Sequence, residues 1–417
     1  MKFNKWTLGL AAVGVVSLIS PARADETKIS QVNTALSNTT ISGYVDLAAQ
    51  FNPNGSSGGS PNYYYGSAPN AINLNVVDIA IDKPMDESPW ASGYHVEFMV
   101  GPVANNMGLP NNIRQAYVTL RTPVGNGIDW KLGIFDTIVG YESTTSANNP
   151  NFSHSYGYNM EPSTQAGLLG NYKATDWLSM QLGICDNSYG GYGAYNANTA
   201  TSYNNQTTGL YHPTLMWGPT LTAPDSFGWA KGATLSVATI ISGGNVDNNG
   251  GSRNGGQGAR TFYAGVTLPT PVAALKFGAS FDYLTAADIA QNAWDTAVYS
   301  TYQFNDKLSL NLRAEYYDGK NLDAAGIYGS YGYSPNYTTL PNETSYQNGT
   351  WSSANYANQA QEITVTLQYA LWANVLTRLE ARWDHSNNDN GLYGFTSNTG
   401  NQQQNAFMLA AQAIYTF

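Results

Sequence analysis

Residues Phe407 to Phe417 read Phe-Met-Leu-Ala-Ala-Gln-Ala-Ile-Tyr-Thr-Phe, and the sequence stops there. Phe407, Leu409, Ala411, Ala413, Tyr415 and Phe417 share one parity; Met408, Ala410, Gln412, Ile414 and Thr416 share the other. A period of two marks a β-strand with two different environments, because successive side chains point to opposite faces. One face here is wholly apolar and ends on an aromatic ring. Such a strand suits a wall with hydrocarbon on one side.

The pattern recurs upstream. Ile41, Gly43, Val45, Leu47, Ala49 and Phe51 alternate with Ser42, Tyr44, Asp46 and Gln50; Leu308, Leu310, Leu312 and Ala314 alternate with Asn311, Arg313 and Glu315. Most telling is Arg378, Glu380, Arg382 and Asp384 on one parity, against Thr377, Leu379, Ala381 and Trp383 on the other. A base at the bilayer midplane costs roughly 2–4 kcal/mol, and a dry core penalises unpaired charge as well. The charged face is therefore expected to meet the inside of a hydrated barrel.

Connections alternate in length. Lys83–Trp90, Thr122–Ile128, Lys173–Trp177, Leu268–Pro271, Asn305–Lys307 and Leu371–Asn374 are short and carry turn formers. Asn52–Ala71, Asp136–Thr164, Asp186–Gln206, Ser242–Gly258, Asp318–Gln359 and Ser386–Gln403 are long and rich in Gly, Asn, Ser and Tyr. Short turns at one end and long loops at the other are the layout of a transmembrane, antiparallel, up-and-down β-barrel. The expected all-β barrel covers residues 41–417. It has about 16 strands, with 14 or 18 as the neighbouring even counts. Strands near Thr208–Trp217, Ala233–Ile241 and Trp294–Phe304 carry the weakest pattern. Trp90, Trp130, Trp177 and Trp372 flank short turns and read as interface anchors.

Composition agrees. Charged residues make up 11% of the chain, against about 25% in ordinary soluble domains. Lys2 and Lys5 precede an apolar run from Trp6 to Ile19, and Pro21-Ala22-Arg23-Ala24 offers a cleavage site. Residues 1–24 thus read as a signal peptide and 25–40 as a periplasmic lead-in. No later run reaches the ~18 apolar residues of a spanning helix. Cys185 is the single cysteine, so an internal disulfide is excluded. The net charge of −10 and the lack of a basic patch argue against a nucleic-acid partner.

The segment 136–164 is less repetitive than the other loops and carries Asp136, Glu142, His154 and Glu161. Long ordered loops in compact architectures are usually functional, and this one is expected to fold inward as a constriction. Its motifs are Gly133-x-Phe135-x-Thr137-x-x-Gly140-Tyr141-Glu142, Asn149-Pro150-Asn151-Phe152-Ser153-x-Ser155-Tyr156 and Pro162-x-Thr164-x-x-Gly167. Together with the run Arg382-Trp383-Asp384-His385-Ser386, they resemble the OmpL-like β-barrel porin-2 family of Gram-negative bacteria. That family usually has a base where this chain has Ile134. The resemblance implies an outer-membrane, channel-like protein and no particular substrate.

The expected function is passive diffusion of small hydrophilic solutes and ions, with outer-membrane lipid around the barrel and no catalysis, metal or cofactor. Lumen-wall candidates are Glu97, Arg114, Arg121, Lys131, Lys276, Arg313, Glu315, Arg378, Glu380, Arg382 and Asp384; Arg114 breaks the parity of its strand. His95 shares a face with Glu97, which suggests a lumen hydrogen bond. The histidines form no zinc motif, and Ser153, His154 and Ser155 are adjacent without making a triad. Asp247-x-x-Gly250 and Asp318–Asp323 lack the spacing of a calcium loop. Two alternatives are a saccharide-selective channel using the Tyr-rich stretches 62–66, 189–195 and 328–337 as a stacking track, and a plugged structural or adhesive barrel. A homotrimer fits general porins, but the sequence marks no interface. The acidic balance suggests mild cation preference.

Overall fold

The computed structural model describes residues 38–53, 70–107, 109–185, 213–241, 259–286, 291–320, 357–387 and 404–417. The signal segment, residues 25–37 of the lead-in, His212, Asp247–Gly250 and the three Tyr-rich stretches lie outside them.

The strands are β1 (Thr40–Phe51), β2 (Ala71–Lys83), β3 (Ser92–Val100), β4 (Ile113–Thr122), β5 (Ile128–Asp136), β6 (Thr164–Lys173), β7 (Leu178–Cys185) and β8 (Thr214–Thr222). They continue as β9 (Thr234–Ile241), β10 (Ala259–Pro269), β11 (Leu275–Ala286), β12 (Gln291–Gln303), β13 (Leu308–Lys320), β14 (Ala357–Trp372), β15 (Val375–Ser386) and β16 (Asn405–Thr416). Each pairs with its sequence neighbours, and β1 meets β16 antiparallel to close the barrel. The seam is fastened by the last residue: Phe417 donates its N–H to the Gly43 carbonyl at 3.0 Å and accepts from the Gly43 N–H at 3.1 Å. Closure removes the unpaired edges that hydrocarbon would not tolerate.

The apolar parity faces outward. Leu182, Leu379, Leu409 and Val298 are each more than half exposed, as are their anchors Trp90 and Trp372 near the short turns. In water each large apolar side chain left uncovered would forfeit about 1.5–3 kcal/mol; acyl chains remove that penalty. Trp130 lies across Gly170 and donates its indole N–H to Thr122 Oγ1 at 3.0 Å. Among the described residues no helix is long and apolar enough to cross a membrane.

Three differences from the sequence reading have physical causes. The strand expected at Thr208–Trp217 is β8, displaced toward the C-terminus. It runs through Pro219, which pairs with Met180 on the β7 side, while the register with β9 passes from Trp217 to Thr220. Proline has no N–H to donate, so the ladder is interrupted on one side only. β13 and β14 also extend into the expected loop 318–359: Asp318 pairs with Gln359, whose side-chain amide donates to Asp318 Oδ2 at 2.9 Å. Finally, the β3–β4 connection folds inward as a short helix, α1 (Pro102–Asn106), burying Val103, Ala104 and Leu109.

Candidate functional site

The interior is organised by the segment joining β5 to β6. Its neck is closed by the Thr137 N–H donating to the Ser163 carbonyl at 3.2 Å. Phe135, Ile138 and Val139 then pack against Leu169, Cys185, Met216 and Ile240, an apolar patch on the inner wall of β6–β9. Cys185 is thus buried and inward-facing, as its parity suggests. The Tyr141 ring stacks on Tyr299 at 4.3 Å and lies over Gly278, where a Cβ would strike its hydroxyl. Glycine at that wall position is what lets the ring lie flat on the backbone.

Glu142 is the hub. Its carboxylate accepts from Arg313 Nη1 at 2.8 Å and from the Tyr299 hydroxyl at 3.1 Å. It also meets His154 Nδ1 at 2.9 Å and accepts from the Ser155 N–H at 3.1 Å. Burial alone would raise its pKa; the Arg313 charge, His154 and the Ser155 N–H outweigh that and hold it at about 2. The His154 ring is stacked on Tyr158 at 3.7 Å. Ser155 caps the short helix α2 (Tyr156–Met160) by accepting from the Tyr158 N–H at 3.0 Å.

Residues 146–156 are fixed to β13–β15 and their neighbours almost peptide by peptide. Arg378 donates to the carbonyls of Ser146 and Asn149, and is itself held by Gln368 and Gln412 at 2.9 Å each. Asn311 donates to the Pro150 carbonyl at 2.9 Å, and Asn151 to Thr366 Oγ1 at 2.6 Å. Glu380 accepts the N–H groups of Phe152 and Ser153 at 2.6 and 2.9 Å. Arg313 reaches the Ser153 and His154 carbonyls, and Glu315 accepts the Tyr156 N–H at 2.8 Å. The Tyr156 hydroxyl donates to Asp384, and Arg382 sits 5.1 Å from the Tyr156 ring. Phe152 fills an apolar pocket with Tyr44, Ala48, Met408 and Ile414. Backbone groups removed from water must find partners, and the wall charges supply them. The Asn149–Tyr156 motif is therefore the fastening strip of the loop.

This alters the role of several predicted wall residues. Arg313, Glu315, Arg378, Glu380, Arg382 and Asp384 point inward as their parity requires, yet each is at most 5% exposed. They are covered by the loop and cross-linked by Arg313–Glu362 at 2.6 Å, Arg382–Glu362 at 3.3 Å and Arg382–Asp384 at 2.8 Å. Parity gives the side of the wall; it does not reveal what lies on that side.

The opposite wall differs. Asp82 faces His95 Nδ1 at 3.2 Å, and His95 Nε2 faces Glu97 at 3.3 Å, the lumen contact expected from their shared face. Glu97 accepts from Arg114 and from Gln115, the latter at 2.7 Å; Arg114 also pairs with Asp136. The register shifts between Glu97 and Phe98, so Gln115 opposes Glu97 while Ile113 opposes Phe98. Arg114 is the extra residue of this β-bulge, which explains its broken parity. Lys131 sits 4.8 Å over the Tyr117 ring, and His95 stacks on the same ring at 5.1 Å. Toward the short turns Arg121 grips Asp129 with two bonds, at 2.6 and 2.9 Å. Lys276 is half-buried on β11.

The four loop candidates thus split. Glu142 and His154 form one buried pair, Asp136 joins Arg114, and Glu161 lies beside Asp282. Burial first, then the neighbouring Asp282 charge, pushes the Glu161 carboxyl well above the usual range. Asp295 stands directly opposite Asp282 in the β11–β12 register, and both Asp295 carboxylate oxygens are buried without a hydrogen-bond partner among the described residues. Sequence reading missed Asp295 as an interior acid, although its parity with Ala293 and Ala297 was available.

Comparison with known proteins agrees with this architecture. The family model described as "Putative beta-barrel porin-2, OmpL-like" matches residues 38–417. A comparison with curated protein sequences finds no match. Among solved structures, the outer membrane channel DcaP of Acinetobacter baumannii is 12% identical with a TM-score of 0.56, covering 91% of this chain and 97% of its own. The anion-selective porin from Comamonas acidovorans is 9% identical with the same TM-score, covering 91% and 99%. The trimer form of Vibrio cholerae OmpT is 12% identical with a TM-score of 0.52, covering 91% and 99%. These likenesses are of fold. With the family match spanning the barrel, this chain belongs to the OmpL-like β-barrel porin-2 family and is an outer-membrane, channel-type protein.

Proposed function

We propose that the protein is a passive pore for small hydrophilic solutes and ions, narrowed permanently by the 136–164 segment. One observation carries this reading: a loop of a closed barrel is held inside it by charged wall side chains rather than left outside. A loop fixed in this way sets a size limit without consuming energy, and the remaining water-lined charges bias which ions pass. Asp136 is the loop-neck acid that keeps contact with water, its side chain 37% exposed. Mild cation preference is our expectation from the exposed carboxylates Asp82 and Asp136.

Catalysis is not part of this reading, since Ser155 is engaged as a helix cap and His154 is fixed between Glu142 and Tyr158. The barrel sits in outer-membrane lipid, and a homotrimer like the OmpT trimer form is our expectation for its assembly.

The test is conductance of the refolded protein in planar bilayers, with and without residues 138–162. Stable unit conductance that rises on removing the loop supports a constricted pore. Silence in both forms would favour a plugged structural barrel.

A further inference from the structure

Charged side chains line the interior on two sides, and among the described residues the two differ in how many remain exposed. On β13–β15 the loop covers everything: the Arg313 and Glu362 side chains are 0% exposed and Arg382 is 1%. On β2–β5 the Asp82 side chain is 41% exposed, Asp136 is 37% and His95 is 17%, while Glu97 and Arg114 between them are buried at 5% and 3%. These groups form a climbing series. Asp82 lies next to the short-turn end of β2, His95 and Glu97 follow on β3, Arg114 on β4, and Asp136 marks the loop neck at the far end of β5. The series ends at a recess in the loop root lined by Asp136, Thr137, Glu142, Thr144, Tyr158 and Glu161.

Resting on the pore reading above, we propose that solutes pass along the β2–β5 wall, and that Asp82, His95, Lys131 and Asp136, not the arginines of β13 and β15, determine ion selectivity.

The chemistry favours this side. The charged groups of β13–β15 are engaged by wall and loop partners and lie under a protein layer, which keeps them away from a passing ion. Asp82 and Asp136 each meet a cationic or imidazole partner on one side and water on the other. The His95 ring sets Nδ1 against Asp82 at 3.2 Å and Nε2 against Glu97 at 3.3 Å, which fixes the position of Asp82 beside the passage. Tyr117 contacts both His95 and Lys131 through its ring and so ties the two groups to one part of the wall. The ligand class is small hydrated cations; larger solutes would meet alternating acid and base along one wall.

Potassium chloride gradients across planar bilayers supply the test. Asp82→Asn and Asp136→Asn should each lower the cation-to-anion permeability ratio about twofold, and Lys131→Gln should raise it. Arg378→Gln loosens the loop that this arginine fastens and should be read mainly in unit conductance, moving the ratio less than either acid replacement. Single cysteines in a Cys185→Ser background keep the test independent of folding defects. Asp82→Cys should react with a charged thiosulfonate and alter current, whereas Thr364→Cys, beneath the loop, should not react. If wild type conducts but ratios move only with Arg378→Gln, or Thr364→Cys labels while Asp82→Cys does not, the passage assignment is overturned and the pore reading survives. If wild type carries no current, the pore reading itself fails.

Discussion

The two inner walls of this barrel are built from the same residue types and do opposite jobs. On β13–β15, arginines and carboxylates are dry and spend their hydrogen bonds on the peptide groups of residues 146–156. On β2–β5, a similar set of acids and bases is partly wet and leaves one side open. The difference is what covers them. A charged inward face is a wall that needs either water or a partner, and one barrel can use each solution on a different side.

That contrast predicts where substitution hurts. Arg313→Ala removes the cation shared by Glu142 and Glu362 and leaves both buried. Losing one partner of a buried pair costs about 3–5 kcal/mol. The expected outcome is a lower unfolding midpoint in detergent, read by loss of the heat-modifiable folded band, with larger and noisier pore currents. A folded band as stable as wild type would mean the loop is not held there.

Acid should attack the covered wall next. The Glu142 carboxyl, ordinarily at 4.5, is held at about 2 in the folded state. A depressed carboxylate contributes stability above its unfolded value, and that contribution is lost as pH falls from about 4.5 toward 2. At 1.36 kcal/mol per unit the loss is about 3 kcal/mol. Glu142→Gln should flatten this acid limb in a pH series of unfolding midpoints. Glu161 has the opposite sign: its raised carboxyl favours the folded state at low pH, with the benefit lost as pH rises through its folded value. Glu161→Gln should therefore relieve loss of stability on the alkaline side. Parallel pH profiles for the two variants would contradict the assignment.

A Cβ at Gly278 would collide with the Tyr141 hydroxyl. Gly278→Ala should cost about 1–3 kcal/mol by overpacking, and near-ultraviolet circular dichroism should report the displaced Tyr141–Tyr299 stack. An unchanged tyrosine signal would mean the ring lies elsewhere. On the wet wall the effect should be smallest. Lys131→Ala removes a cation over Tyr117, a contact of about 0.5–1 kcal/mol, and should change selectivity more than unfolding. A destabilisation matching that of Arg313→Ala would erase the distinction between the walls.

The barrel was legible because parity is local. Arg378 and Leu379 are neighbours in sequence and point to opposite sides of the wall, and that fact needs no distant information. The final strand, the turn-and-loop asymmetry and the shared face of His95 and Glu97 were readable for the same reason. Loop docking was not: Ser146 and Asn149 lie 232 and 229 positions from Arg378. The sequence supports an inward fold of segment 136–164 as an expectation only, and nothing local in it says that the Asn-Pro-Asn-Phe-Ser run would meet the arginines. Arg114 looked anomalous because a bulge restores its direction, and a bulge is set by the pairing of two strands. Pro219 hid the end of β8 because proline argues against a strand unless one edge of the ladder can do without its donor.

If the loop stays on β13–β15 while the pore conducts, one pair of thiols can report it. Asn151→Cys with Thr366→Cys, in a Cys185→Ser background, places thiols where side chains now touch at 2.6 Å. Bridging them with a methylene-linked bis-thiosulfonate added before refolding, while both thiols are accessible, and then recording single channels should give near-complete cross-linking with conductance equal to the unbridged pore. Failure to cross-link, or a current that collapses once the bridge forms, would contradict the account.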